Sequence, residues 1–111
     1  IVENIMGGTR LFATAALKNI LLMDFGETCV FIKFGTDWCI PCQELDKILV
    51  NFPDSALYHV DVEDVEFDGT MEEYNYKSVP YTIIKYKKKT RNFSGVSSEE
   101  NIKRLINEMK N

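Results

Sequence analysis

Two thiols stand three positions apart in Trp38-Cys39-Ile40-Pro41-Cys42. A thiolate is the form of cysteine that attacks a disulfide, and a free thiol is mostly protonated near neutral pH. An N-terminal helix position changes that balance, because unpaired N–H groups and the positive end of the helix dipole stabilise negative charge there. Cys39 is placed to feel that field first, as the nucleophile. Cys42 follows one helical turn later, so that both sulfurs reach the same face and the second can resolve what the first has captured.

The flanking residues must build that strand-to-helix junction. Cys29 to Phe34 is a nearly continuous apolar run, the pattern of a strand covered on both faces. Cys39 to Phe52 reads as a helix with Cys42, Leu45, Ile48, Leu49 and Phe52 inward, ending before Pro53. Pro41 falls in its first turn, where a missing N–H costs nothing. Leu57 to Val62 is a further strand and Thr70 to Tyr76 a short helical segment. Tyr81 to Tyr86 is a strand with Arg91 to Phe93 as its antiparallel partner, and Ser97 or Ser98 caps a last helix that buries Ile102, Leu105, Ile106 and Met109. Upstream, Thr9 to about Met23 is rich in Ala and Leu, with Phe12, Ala16 and Ile20 on one helical face and Gly26 just beyond. Residues 1 to 8 have no usable period and are set apart as an N-terminal extension, with Val2 to Ile5 the candidate for a short first strand; residues 9 to 111 form the domain. Alternating strands and helices followed by a hairpin and a helix give an α/β domain of three layers, α/β/α, around a mixed central sheet.

The chain resembles thioredoxin and the thioredoxin-like thiol–disulfide oxidoreductases from about residue 12 to its end. Phe34, Asp37, Trp38, Cys39, Pro41 and Cys42 carry the likeness, followed about forty residues later by Val79-Pro80, and then by Gly95-Val96 before the final helix. The resemblance implies the thioredoxin fold and reduction of protein disulfides. It also implies disulfide-containing protein substrates, an electron donor similar to thioredoxin reductase, and no bound cofactor. It assigns Trp38 to a recognition surface, with a plain apolar lid as the alternative. It makes the Val79–Pro80 bond cis and gives the Val79 backbone the pairing with a bound substrate strand, although X-Pro bonds are mostly trans. Pro41 in such a motif favours the reduced dithiol. Ile40 stands where Gly is common and should alter redox poise or access, and Tyr81 stands where small residues are common and should change the groove.

Lys33 is the sharpest departure. It lies six residues before Cys39, where thioredoxin has a buried Asp that helps deprotonate the resolving Cys. A cation near either sulfur lowers its pKa. Lys33 is therefore expected to pair with Glu44 or Asp61 and push the dithiol toward oxidising behaviour; alternatively its stem packs while the ammonium reaches solvent. His59 either tunes the site or is a surface residue near a strand end. Cys29 reads as a small core hydrophobe.

Other readings of the dithiol are inert buried thiols or a zinc site. Zinc wants four ligands, and beyond the pair the sequence has only Cys29 and His59 to contribute as Cys or His. No metal is therefore expected. Three cysteines in 111 residues do not make a disulfide scaffold, a net charge of −4 argues against a general nucleic-acid role, and no apolar stretch reaches membrane-spanning length. A cytoplasmic monomer is expected, with export by a signal missing from this chain as the alternative. The acidic run Asp61, Glu63, Asp64, Glu66, Asp68, Glu72, Glu73 and the basic run Lys85, Lys87, Lys88, Lys89, Arg91 read as solvated faces, with partner steering as the alternative. At the level of function, a disulfide oxidant or isomerase competes with the reductase, and so does a non-enzymatic binding module on the same fold.

Overall fold

The computed structural model describes residues 2, 3, 9–11, 14–52, 54–64 and 69–111, with side chains from Leu17 onward. The elements in order are β1 (Val2–Glu3), β2 (Thr9–Leu11), α1 (Thr14–Leu22), β3 (Cys29–Gly35), α2 (Ile40–Leu49), β4 (Ser55–Asp61), α3 (Thr70–Tyr74), β5 (Tyr81–Tyr86), β6 (Lys89–Ser94) and α4 (Glu99–Lys110). They build one mixed sheet of six strands in the order β1-β2-β4-β3-β5-β6. β3 lies at its centre, parallel to β4 and antiparallel to β5.

All seven residues of β3 are buried, Lys33 among them, as its nearly continuous apolar run leads one to expect. Val30, Ile32 and Phe34 pack on one face with Leu17 and Ile20 of α1 and with Tyr76, Tyr81 and Ile83. Cys29 and Phe31 pack on the other face with Leu45 and Leu49 of α2 and Ile102, Ile106 and Met109 of α4. Two apolar clusters separated by the sheet are the expected three layers. Helix α4 is capped by Ser98, whose hydroxyl accepts from the Asn101 N–H at 3.1 Å.

Three readings of the sequence change. The stretch from Thr9 is not helical from its start: Thr9–Leu11 is a strand, parallel to β4, and the helix begins at Thr14. Three residues are too few to show a strand period, and the pairing that holds them lies more than forty positions away. Phe12, assigned to the helix face, lies outside the described residues. Tyr81, expected to change the groove, is buried, with its ring stacked on Tyr76 at a centroid distance of 5.0 Å. Lys85 is no solvated hairpin residue either. It is buried, and its ammonium donates to the Lys87 carbonyl at the tip of its own hairpin. Glu66 and Asp68 of the acidic run are outside the described residues.

Candidate active site

The site begins where β3 ends. Gly35, Thr36 and Asp37 carry the chain off the sheet, and Cys39 becomes the N-cap of α2. Cys39 closes the turn from both sides: its N–H donates to the Thr36 carbonyl at 3.4 Å, and its Sγ accepts from the Cys42 N–H at 3.2 Å. An N-cap side chain takes one of the N–H groups that the first helical turn leaves free. Here that side chain is the sulfur. Pro41, inside the first turn, removes a donor that would have had no partner.

Cys39 and Cys42 are joined by a disulfide, with their Cα atoms 5.2 Å apart. Both are buried, Cys39 to 6% exposure and Cys42 to 1%. Trp38 and Ile40 beside them stand out, Trp38 at 68% exposure. The Trp38 indole N–H donates to Glu63 Oε1 at 2.7 Å, which ties this exposed ring to the loop after β4. Gln43 braces the turn through the Asp37 carbonyl at 2.8 Å. The Val79–Pro80 bond is cis, and Pro80 directly precedes Tyr81, which stands opposite Phe34 in the β3–β5 register. That loop therefore lies at the same end of the sheet as the dithiol.

Beneath the disulfide the sheet turns polar. His59, Lys33 and Thr82 are neighbours in register across β4, β3 and β5. Lys33 is completely buried, so its ammonium does not reach solvent. Its partner is Asp46 of α2, neither Glu44 nor Asp61. The correction has a simple geometric cause: Cys42 and Asp46 are four apart on one face of α2, so the carboxylate follows the sulfur down onto the sheet. Lys33 Nζ also donates to the Cys42 carbonyl at 3.5 Å. Burial pushes the Lys33 ammonium below its ordinary range, while the hydrogen bond and charge of Asp46 and the charge of Asp37 pull the other way.

His59 is half-buried. Its Nε2 is buried and has no hydrogen-bond partner among the described residues, as is the case for Thr36 Oγ1 and Thr82 Oγ1. Burial first, and then the Lys33 charge, lower its pKa from 6.5. Gly35 completes the floor: an ideal Cβ there would lie 2.9 Å from Cys42 Sγ and 3.6 Å from Lys33 Cε, so only glycine leaves room for the sulfur. Neither Gly35 nor Asp46 had been singled out in the sequence. The i, i+4 spacing from Cys42 was the signal for Asp46, and nothing local marked Gly35. Among the described residues, no group of three or more His, Cys, Asp or Glu side chains is arranged to hold a metal ion.

Set beside known proteins, residues 12–108 match the Thioredoxin family profile. A thioredoxin of Geodia cydonium is 38% identical over 63 residues, which cover 53% of this chain and 58% of that protein. The match thus spans little more than half of that curated relative. Thioredoxin O2 of Arabidopsis thaliana in its oxidised state superposes with a TM-score of 0.69 at 18% identity, covering 95% of this chain and 96% of the other. A chloroplastic thioredoxin z gives 0.72 at 17% identity over 90% and 92%. The fold is therefore the thioredoxin fold, the Cys39–Cys42 pair is its redox-active dithiol, and the chain belongs to the thioredoxin family.

Proposed function

We propose that the protein reduces disulfides of other proteins. The Cys39 thiolate attacks a target disulfide, forms a mixed disulfide and releases one target thiolate. Cys42 then attacks Cys39 Sγ, which breaks the mixed disulfide, releases the second target thiolate and leaves Cys39–Cys42 oxidised. Two electrons pass from the dithiol to the target, and a reductase-like donor of thiol electrons restores the pair. Trp38, Ile40 and the Val79–Pro80 loop are the surfaces proposed to receive the target. The proposed compartment is the cytoplasm, where thiols stay reduced.

The observation that carries this reading is Cys39 as N-cap of α2 with its sulfur on the Cys42 N–H. The same field that orients the disulfide stabilises the Cys39 thiolate once the bond opens. Cys42→Ser tests the reading, because it removes the resolving sulfur. Targets are expected to accumulate as mixed disulfides on Cys39, and an absence of such adducts would sink it.

One observation favours a second reading, a disulfide oxidant. Lys33 is a buried cation beside Cys42. A cation that stabilises thiolates stabilises the reduced pair and makes the disulfide the better electron acceptor. Equilibration against glutathione separates the two. A pair that stays reduced only in strongly reducing buffer is a reductant, and one that glutathione readily reduces is an oxidant.

A further inference from the structure

Resting on the reductase reading, we propose that the dithiol takes disulfides set in cationic protein segments with an apolar residue beside the half-cystine, and that Ile40 selects that apolar neighbour. Cys39 is nearly closed to solvent, while the side chains on either side of it stand out, Trp38 at 68% and Ile40 at 61% exposure. An incoming disulfide brings its neighbouring residues against these two side chains. An apolar neighbour covers them and gains by the area taken from water; a polar one gains nothing and gives up its own hydration. Ile40 is the first residue of α2, so a rigid helix start holds it in place beside the nucleophile.

Carboxylates frame the two apolar side chains. Asp37 precedes Trp38, and Glu44 is exposed one helical turn after Ile40, on the same face of α2. Glu63 accepts from the Trp38 indole N–H. Asp61 ends β4 opposite Gly35, so the loop that carries Glu63 leaves the sheet at the dithiol end. Lys77, exposed before the cis peptide, opposes these acids, and Lys33 is sealed beneath the dithiol. The far end of the sheet has the reverse sign. Exposed Lys87, Lys88 and Lys89 make the β5–β6 turn, beyond the start of β3, where Glu27 meets the Lys87 charge.

The molecule is thus polarised along its strands, with the dithiol at the negative end. Such a field turns a cationic segment toward Cys39 and an anionic one away from it. Charge and apolar surface together define the occupant: the apolar pair reads the residue beside the half-cystine, and the carboxylates read the residues further out. A second copy of this chain is a poor two-fold partner for the same surface, because the contact sets carboxylates against carboxylates.

Synthetic disulfide peptides test both parts against the reduced wild-type protein. One series places leucine beside each half-cystine and lysine, glutamate or serine at the remaining positions; a second replaces the leucines by serine. Each kcat/KM is divided by that for hydroxyethyl disulfide, a small neutral substrate that reports thiol reactivity alone. The lysine peptide is expected to react roughly tenfold faster than the glutamate peptide at about 10 mM salt, and the two to converge near about 1 M, where charges are screened within ~3 Å. Glu44→Lys with Glu63→Gln, which keeps an acceptor for the indole, is expected to reduce that ratio to about twofold or less, while Lys88→Gln at the far end leaves it near tenfold. Leucine peptides are expected to outpace their serine counterparts by roughly fivefold, and Ile40→Ser to remove most of that advantage. The salt series needs no variant and stands even where a substituted chain fails to fold. Equal rates for the lysine and glutamate peptides, or a ratio that salt leaves unchanged, overturn the proposal, as does a leucine preference that survives Ile40→Ser. A wild-type protein that elutes as a dimer at low salt puts a second copy on this surface and overturns it too. A wild-type protein that fails to reduce hydroxyethyl disulfide overturns the reductase reading, and the selectivity with it.

Discussion

The two ends of the central strand carry cysteines of nearly equal burial and opposite chemistry. Cys29 opens β3 at 5% exposure; Cys39 follows its other end at 6%. Cys29 faces Phe31, Leu45, Ile102 and Ile106, and burial pushes its thiol up to about 11. Cys39 sits on a helix N-terminus, with an N–H aimed at its sulfur and Cys42 bonded to it. Exposure does not separate the two thiols. The balance of burial against nearby donors does, because burial costs the Cys29 thiolate more than the Lys110 charge and the Ser55 hydrogen bond return, whereas a thiolate at a helix start has backbone N–H groups. The same contrast holds for the two buried lysines. Lys85 spends its hydrogen bond on its own hairpin, while Lys33 spans from the sheet to Asp46 and the dithiol helix.

The largest effect expected from this comparison is on activity. Cys39→Ser should lower disulfide reduction in a dithiothreitol-driven turnover assay by roughly 10³-fold or more, and Cys29→Ser by less than about twofold. A comparable loss in both would erase the distinction between the two ends. Labelling gives the next test. In the reduced protein at pH 8 a thiol with a pKa of about 11 is only about 10⁻³ thiolate. Cys29 is therefore expected to alkylate some hundreds of times more slowly than Cys39 when labelled sites are counted by mass spectrometry, and equal rates would break the comparison.

Gly35→Ala sharpens the steric side. The new methyl meets Cys42 Sγ at 2.9 Å, so the oxidised protein should lose about 1–3 kcal/mol in urea unfolding, the usual range for overpacking. A methyl accommodated without loss would show that the dithiol end is not tightly fitted. The smallest effect concerns pH. His59 has a folded pKa below 6.5, so the folded state prefers it neutral. The sign follows: its contribution is constant above 6.5 and is lost as pH falls through 6.5 toward the folded value, because the unfolded chain binds the proton more readily. His59→Gln should flatten the decline in stability below pH 6.5 measured by thermal melts, and an unchanged slope would rule out this source.

Much of the site was legible because it is local. Trp38 to Cys42 occupies a single turn between an apolar run and an amphipathic helix, and the strand, the N-cap and the pairing all follow from neighbours in the chain. Cys29 as core was readable from the same run. The errors lie where the deciding contact is distant. Thr9–Leu11 became a strand through pairing with residues 57–59 of β4. Lys85, a polar residue in a strand, was assigned to the surface yet is buried, and His59, left open between the site and the surface, is half-buried with its Nε2 covered. Asp46 could be reached from Cys42 by counting one helical turn, but only the seating of α2 on β3 told which acid meets Lys33.

The sequence by itself determined that a sulfur stands at a helix start with its mate one turn on, since a helix start and a three-residue spacing need no distant partner. Tertiary structure alone decided where the buried charge beneath them goes. An ammonium sealed under a helix must find its counter-charge across the layers, and which carboxylate that is depends on how the helix lies on the sheet.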